Sequence, residues 1–235
     1  MADNKRTLLL LGSKPGPRMP ERSVWQDLAC ANASGRSAHD LALPMPCLTV
    51  ISAIVTSRRK ASNDLAVAGL SGLRTEALYF LPRPGAGRTW LSRILFPFRM
   101  WRCQPWFFRR RLGAAGYRWN DFRNPGYVWY LDQLRVATAD DPAVLAALSR
   151  KQPSTGVFAL VVALALKRWE RIILSGFSFE LTHAYAHNPS IDELGTTASK
   201  HAQSDIQVLR AIAAQGHRLL TTEPAVAEET GIPLL

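Results

Sequence analysis

The chain is short of the residues that staple or anchor a protein. It has only three cysteines, Cys30, Cys47 and Cys103, and no two of them are spaced as C-x-x-C. That argues against a disulfide framework or a cysteine-built zinc site, and reads the thiols as small buried residues of a protein kept in a reducing compartment. Long apolar runs are also missing. Thr7 to Leu11 stops at Gly12, too short for the core of an export signal, and no run approaches the ~20 apolar residues of a membrane-spanning helix. A soluble or peripheral protein is expected. There is no Walker A motif, no G-x-G-x-x-G fingerprint and no Asp-x-Asp pair of the kind that holds a metal in nucleotide-sugar transferases. Neither a metal nor a resident cofactor is therefore expected. Finally, no acidic residue lies between Glu76 and Asp121.

The 235 residues, 47% of them hydrophobic, suffice for one large domain with a substantial core. A formal net charge of +11 implies an anionic partner: nucleic acid, a membrane surface or a phosphorylated substrate.

Along the chain, short β-branched or leucine-rich runs alternate with helical patterns. Thr7–Leu11 reads as a buried first strand and Ala29–Ser34 as a short second one with Asn32 near its end. Leu48–Val55 reads as a central strand, a stretch from Ser62 as a helix, and Glu76–Leu81 as a strand. Asp140 or Asp141 would cap a helix that starts at Pro142. A helix from about His201 to Gln215 and a last strand over His217–Thr221 close the pattern. These spacings predict a single α/β, Rossmann-like domain over residues 1–235. Two segments interrupt it: a basic aromatic insertion or modified crossover at about 83–125, and a polar, histidine-bearing lid at about 180–200.

Two turns have the composition of an anion cradle. Gly12-Ser13-Lys14-Pro15-Gly16 follows the first strand, with Lys14 able to face a phosphate. Pro153-Ser154-Thr155-Gly156 precedes an apolar helix, where backbone N–H groups and the helix dipole favour negative charge. The alternative for the second turn is an ordinary N-cap. The helix and strand that follow end in a glycine turn, Ser175-Gly-Phe-Ser-Phe179, which puts this turn and the Pro153–Gly156 turn at the ends of neighbouring elements of an α/β sheet, where such sheets bind nucleotides.

Leu8–Gly16, the Asn32 segment, Pro153–Phe179 and His201–Leu209 together resemble the motifs of sialyltransferases, bacterial and animal. The resemblance covers about half the chain, and the Pro153–Phe179 segment is its most specific part. It implies a sialyltransferase-type variant of the GT-A fold, and an inverting, metal-independent transfer of a sialic acid or Kdo-like ulosonic sugar from a CMP donor, a co-substrate, to a glycan or lipid-linked glycan. It also implies site residues. Gly12, Ser13, Lys14, Asn32, Ser154, Thr155, Gly156 and Ser178 would hold the donor, and His201, ahead of Asp205-Ile206, would be the general base with His187 in reserve. Tyr185 would contact the leaving phosphate. The chain departs from the family pattern where Gly-Ser-Lys replaces Gly-Asn-Gly or Gly-Asn-Ser, and where one lid tyrosine stands instead of two.

The arginine and aromatic belt has three readings: a packing layer with solvated arginines, a nucleic-acid surface, or docking at a membrane interface. The last is favoured, through Trp101, Trp106, Phe107, Phe108, Arg109, Arg110 and Arg111. It would place the protein in the cytoplasm at the inner face of the membrane, next to a lipid-linked acceptor. A non-catalytic RNA- or DNA-binding module and a transferase using another nucleotide sugar are the rival functions. The oligomeric state is not indicated by the sequence.

Overall fold

The computed structural model describes residues 6–57, 61–84, 100–181 and 198–235. Seven strands form one parallel sheet in the order β5-β4-β3-β2-β1-β6-β7. They are β1 (Thr7–Leu11), β2 (Asp27–Ala31), β3 (Leu48–Ser52), β4 (Arg74–Leu81), β5 (Arg118–Arg123), β6 (Arg171–Ser175) and β7 (Leu219–Thr221). The strands run outward from β1 to β5 on one side, and β6 then returns to the other side of β1. The winding direction therefore reverses between β1 and β6, and the carboxyl ends of these two strands are where open sheets of this kind bind ligands.

Helices cover both faces. The leucine run of β1 is buried throughout because its alternate side chains enter different cores: Leu8 and Leu10 one, Leu9 and Leu11 the other. On the first side lie α4 (Tyr127–Ala137), α6 (Thr155–Leu166) and α7 (Ala202–Ala214). On the second lie α1 (Gly35–Asp40), α2 (Ala61–Gly69) and α3 (Pro105–Ala114). Helix α5 (Pro142–Arg150) packs on α7, as does the final helix α8 (Pro224–Thr230). The almost wholly apolar α6 is explained by its position. It lies over β1, β2 and β3 with α4 and α7 beside it, and Val157 through Ala163 are buried in succession.

Several boundaries differ from the sequence expectation. The second strand ends at Ala31, because Asn32 takes a left-handed φ of 51° and starts a turn. The third ends at Ser52, whose hydroxyl accepts a hydrogen bond from the Ile54 N–H and caps a single 3-10 turn. Asp141 rather than Asp140 caps α5, accepting from the Ala143 N–H at 2.7 Å. In the expected 83–125 insertion, residues 105–123 are part of the regular winding: α3 is a crossover helix and β5 the edge strand that pairs with β4. Helices α1, α4 and α8 were not anticipated.

Candidate active site

Three of the turns singled out in the sequence meet at the carboxyl edge of the sheet. Gly12 follows β1, Gly176 follows β6, and their backbones are tied by two hydrogen bonds. The Gly12 N–H donates to the Ser175 carbonyl at 2.8 Å, and the Lys14 N–H to the Gly176 carbonyl at 2.9 Å. The approach leaves no room for a side chain, since a Cβ on Gly12 would sit 2.3 Å from the Gly176 oxygen. Gly176 itself has a φ of +67°, which favours glycine. The buried ring of Phe177 then reaches the third turn: a Cβ on Gly12 would lie 3.0 Å from it and one on Gly156 3.1 Å. One aromatic side chain thus spaces the two cradles.

The Pro153–Gly156 turn is a true helix start. Ser154 is the N-cap of α6, its hydroxyl accepting from the Val157 N–H at 3.5 Å. Its own N–H donates to the carboxylate of Asp205, at 2.7 Å, from the first turn of α7. Burial raises the Asp205 pKa to about 7, opposed by its hydrogen bonds from Ser154. Ser154, Thr155 and Gly156 remain half-buried and open to a ligand.

His201 N-caps α7 beside this turn. Its Nδ1 lies 2.7 Å from the Gln152 carbonyl oxygen, so Nδ1 carries the proton and donates, and Nε2 is left with the lone pair. Burial lowers the pKa of this half-buried imidazole, and the neighbouring Lys151 and Lys200 charges add to the effect against the Gln152 hydrogen bond. The ring is therefore neutral at pH 7 with one basic nitrogen of fixed identity. Ser204 also donates to the Gln152 carbonyl, at 3.2 Å. An antiparallel bridge from Glu180 to Ala198, with the Ser199 N–H donating to the Phe179 carbonyl at 2.9 Å, draws the start of α7 to the end of β6. His201 is thereby held beside the Pro153–Gly156 turn.

On the β2 side, the Asn32 carboxamide accepts from the Ser52 N–H at 3.0 Å, locking the turns after β2 and β3 to each other. Ser34 donates to the Leu11 carbonyl at 2.9 Å. Ser13 is half-buried in the first turn, and Ser178 accepts from the Glu180 N–H at 3.0 Å.

Lys14 has a partner within the protein. Its ammonium pairs with Glu223, which is 1% exposed at the carboxyl end of β7. The same carboxylate accepts from the Gly176 N–H at 3.0 Å and the Arg18 N–H at 3.2 Å. Glu223 was missed in the sequence. Its only signal is an acid between a strand and the Pro224 helix start, a place usually filled by an exposed cap. Tyr185 and His187 lie outside the described residues. Of the expected docking residues, Phe108 and Arg111 are buried and cannot touch a membrane. Phe108 packs edge-on against Phe80, and Arg111 pairs with Asp64 and donates to the Thr56 carbonyl at 2.6 Å. Among the described residues, no group of three or more His, Cys, Asp or Glu is gathered to hold a metal ion, and no helix is long and apolar enough to cross a membrane.

The architecture is that of a single α/β domain whose seven-stranded parallel sheet reverses its winding between β1 and β6. More particularly, it is the fold of the sialyltransferases Cst-I and CstII of Campylobacter jejuni. The chain matches the α-2,3-sialyltransferase Cst-I with a TM-score of 0.54 and 12% identity, over 100% of this chain and 82% of that one. CstII in complex with the substrate analogue CMP-3FNeuAc matches with a TM-score of 0.52 and 14% identity, over 98% and 86% of the two chains. A CST-II complex with a trisaccharide acceptor and CMP matches with a TM-score of 0.52 and 14% identity, over 97% and 86%. No protein-family model and no curated protein matches the chain by sequence.

Proposed function

We propose that the chain is a CMP-sugar-dependent glycosyltransferase, which moves a sialic acid or Kdo-like ulosonic sugar to a glycan or glycolipid with inversion. The observation that carries this reading is the convergence of the Gly12, Gly156 and Gly176 turns with a neutral His201 on a fold shared with enzymes described with CMP and a CMP-sugar analogue.

The chemistry follows from these groups. The acceptor hydroxyl gives its proton to Nε2 of His201, whose Nδ1–H goes on donating to the Gln152 carbonyl. The freed oxygen attacks the anomeric carbon from the face opposite the phosphate. The glycosidic bond forms as the bond to CMP breaks through an oxocarbenium-like state, and the configuration inverts. CMP departs with the bonding electron pair. The backbone N–H groups of Thr155 and Gly156, in the first turn of α6, are the natural partners for its charge or for the donor carboxylate. Lys14 is neutralised by Glu223 and serves to shape the first turn. Tyr185 at the leaving phosphate and His187 as a second imidazole remain part of the proposal.

A donor screen tests it: CMP release from CMP-sialic acid and CMP-Kdo in the presence of lipid-linked and free glycans, with His201→Ala alongside. Turnover of one donor that is lost in His201→Ala supports the reading. No turnover of either, together with no binding of CMP, overturns it.

A further inference from the structure

Helix α3 and the turn before it have two different sides. The inner side is anchored by Phe108, which is wholly buried, and by Arg111. The outer side presents Trp101 and Trp106, 42% and 57% exposed, with Phe107 in contact with both; Arg102, Arg109 and Arg110 are exposed on the same turn and helix, Arg109 lying over the Phe122 ring. The three rings form a compact unit. Trp101 and Trp106 stack at 6.1 Å and 19°, and Phe107 meets them edge-on at 4.8 and 5.7 Å. The Arg102 guanidinium lies 5.0 Å over the Trp101 ring. No acidic side chain among the described residues pairs with Arg102, Arg109 or Arg110.

We propose that this cluster is a docking surface for anionic lipid headgroups, which rests the carboxyl edge of the sheet on a membrane. Charge sets the first requirement. The patch is purely cationic, in a stretch from residue 77 to 120 with no acid, and so attracts an anionic surface. Ring geometry sets the second. Nucleic-acid platforms offer open ring faces to bases. Here Trp101 and Trp106 are stacked on each other, Arg102 lies over the Trp101 ring and Phe107 meets both edge-on, so the rings are engaged with one another. A cluster of indole and phenyl rings with guanidinium groups on the same turn and helix suits the headgroup boundary, where amphipathic rings insert and arginines meet phosphate. Topology sets the third. A helix joining parallel strands runs against them, so the N-terminal end of α3 lies at the carboxyl edge of the sheet. The Thr56 hydroxyl, just beyond β3, indeed donates to the Arg102 carbonyl at 2.9 Å. Gly12 and Gly176 open at that same edge. Docking would therefore turn that edge towards the lipid surface, whichever sugar donor the protein takes.

Vesicle co-sedimentation at low ionic strength, without donor or acceptor, tests the proposal separately from any transferase activity. Vesicles of phosphatidylcholine with phosphatidylglycerol are compared with pure phosphatidylcholine. The wild type should bind the anionic vesicles and leave the neutral ones. Trp101→Ser/Trp106→Ser should weaken that binding about tenfold. Arg102→Gln/Arg109→Gln/Arg110→Gln should weaken it about a hundredfold. All these positions are exposed, so both variants should stay folded, which a cooperative thermal unfolding transition checks. Equal binding to the two vesicle types, or anionic binding unchanged by either variant, overturns the proposal. So does a single-stranded oligonucleotide that binds the wild type, is lost in both variants and is not displaced by anionic vesicles.

Discussion

Gly12 and Gly176 approach so closely that a single methyl group on Gly12 would lie 2.3 Å from the Gly176 carbonyl oxygen, well inside van der Waals contact. Their contact ties the turns after β1 and β6 together at the switch point. Gly12→Ala should therefore destabilise the fold by about 3 kcal/mol, a fall in Tm of roughly 10 °C, because both neighbours are backbone or packed ring and cannot yield. Gly113→Ala in α3, where nothing lies within 4 Å, is the control and should stabilise slightly. Thermal unfolding of the two variants decides. Equal Tm values would mean that the turns are not in contact.

His201→Ala should lower turnover by about a thousandfold while leaving CMP affinity within a few-fold of wild type, since the ring is proposed to touch the acceptor and not the nucleotide. Because burial lowers its pKa below 6.5, activity should rise with pH through that lowered value and be flat by neutrality. A rate still climbing above pH 7 as a single proton is lost would assign the base elsewhere.

Asp205 and His201 shift in opposite senses. The folded pKa of Asp205 is raised from 3.8 to about 7, so the folded state holds a proton that the unfolded state releases. Its contribution is complete below pH 3.8 and is lost as pH rises through about 7. His201 is lowered instead, so its contribution is complete above 6.5 and is lost as pH falls through the folded value. Asp205→Asn keeps an acceptor for the Ser154 N–H and leaves His201 in place. It should remove the loss of stability between pH 4 and 7 that belongs to Asp205. Melting curves at pH 5 and pH 8 measure this. The Tm of the variant should exceed that of wild type at pH 8, and an unchanged pH dependence would show that the carboxyl is already ionised at pH 5.

Lys14 and Glu223 form a pair whose acid is buried and whose base is about one-third exposed. Lys14→Met leaves the carboxylate with the Gly176 and Arg18 N–H groups alone and should destabilise by about 2 kcal/mol. Lys14→Met/Glu223→Gln should recover part of that loss, because no buried charge is then stranded. A double-mutant cycle from denaturant unfolding reads the coupling. Additive losses would dissolve the pair.

How much was legible beforehand depended on distance along the chain. β1, α6 and α7 were readable because burial on both faces, N-caps and a terminating glycine are local properties of Thr7–Leu11, Ser154 and Gly216. The glycine turns were readable as turns. Their contact through Phe177 was not, since nothing local links residue 12 to residue 176. β5 was concealed by its composition: Arg-Trp-Asn-Asp-Phe-Arg lies at the sheet edge, where a strand need not be apolar. Phe108 and Arg111 were misread because a helix divides a run of similar residues between core and solvent, and only packing against Phe80 and Asp64 decides which face turns inward. Glu223 was invisible for the reason that hides most buried acids: its partners, Lys14 and the Gly176 N–H, are remote in sequence.

The central claim is that the switch point between β1 and β6 binds CMP. Titration of the purified chain with CMP, followed by its thermal unfolding and compared with UMP and AMP, tests it most directly. At about a hundredfold excess over Kd, CMP should raise the Tm by about 5 to 10 °C, with smaller shifts for UMP and AMP and a much weakened response in Gly12→Ala. No shift with CMP, or equal shifts with all three nucleotides, would contradict it.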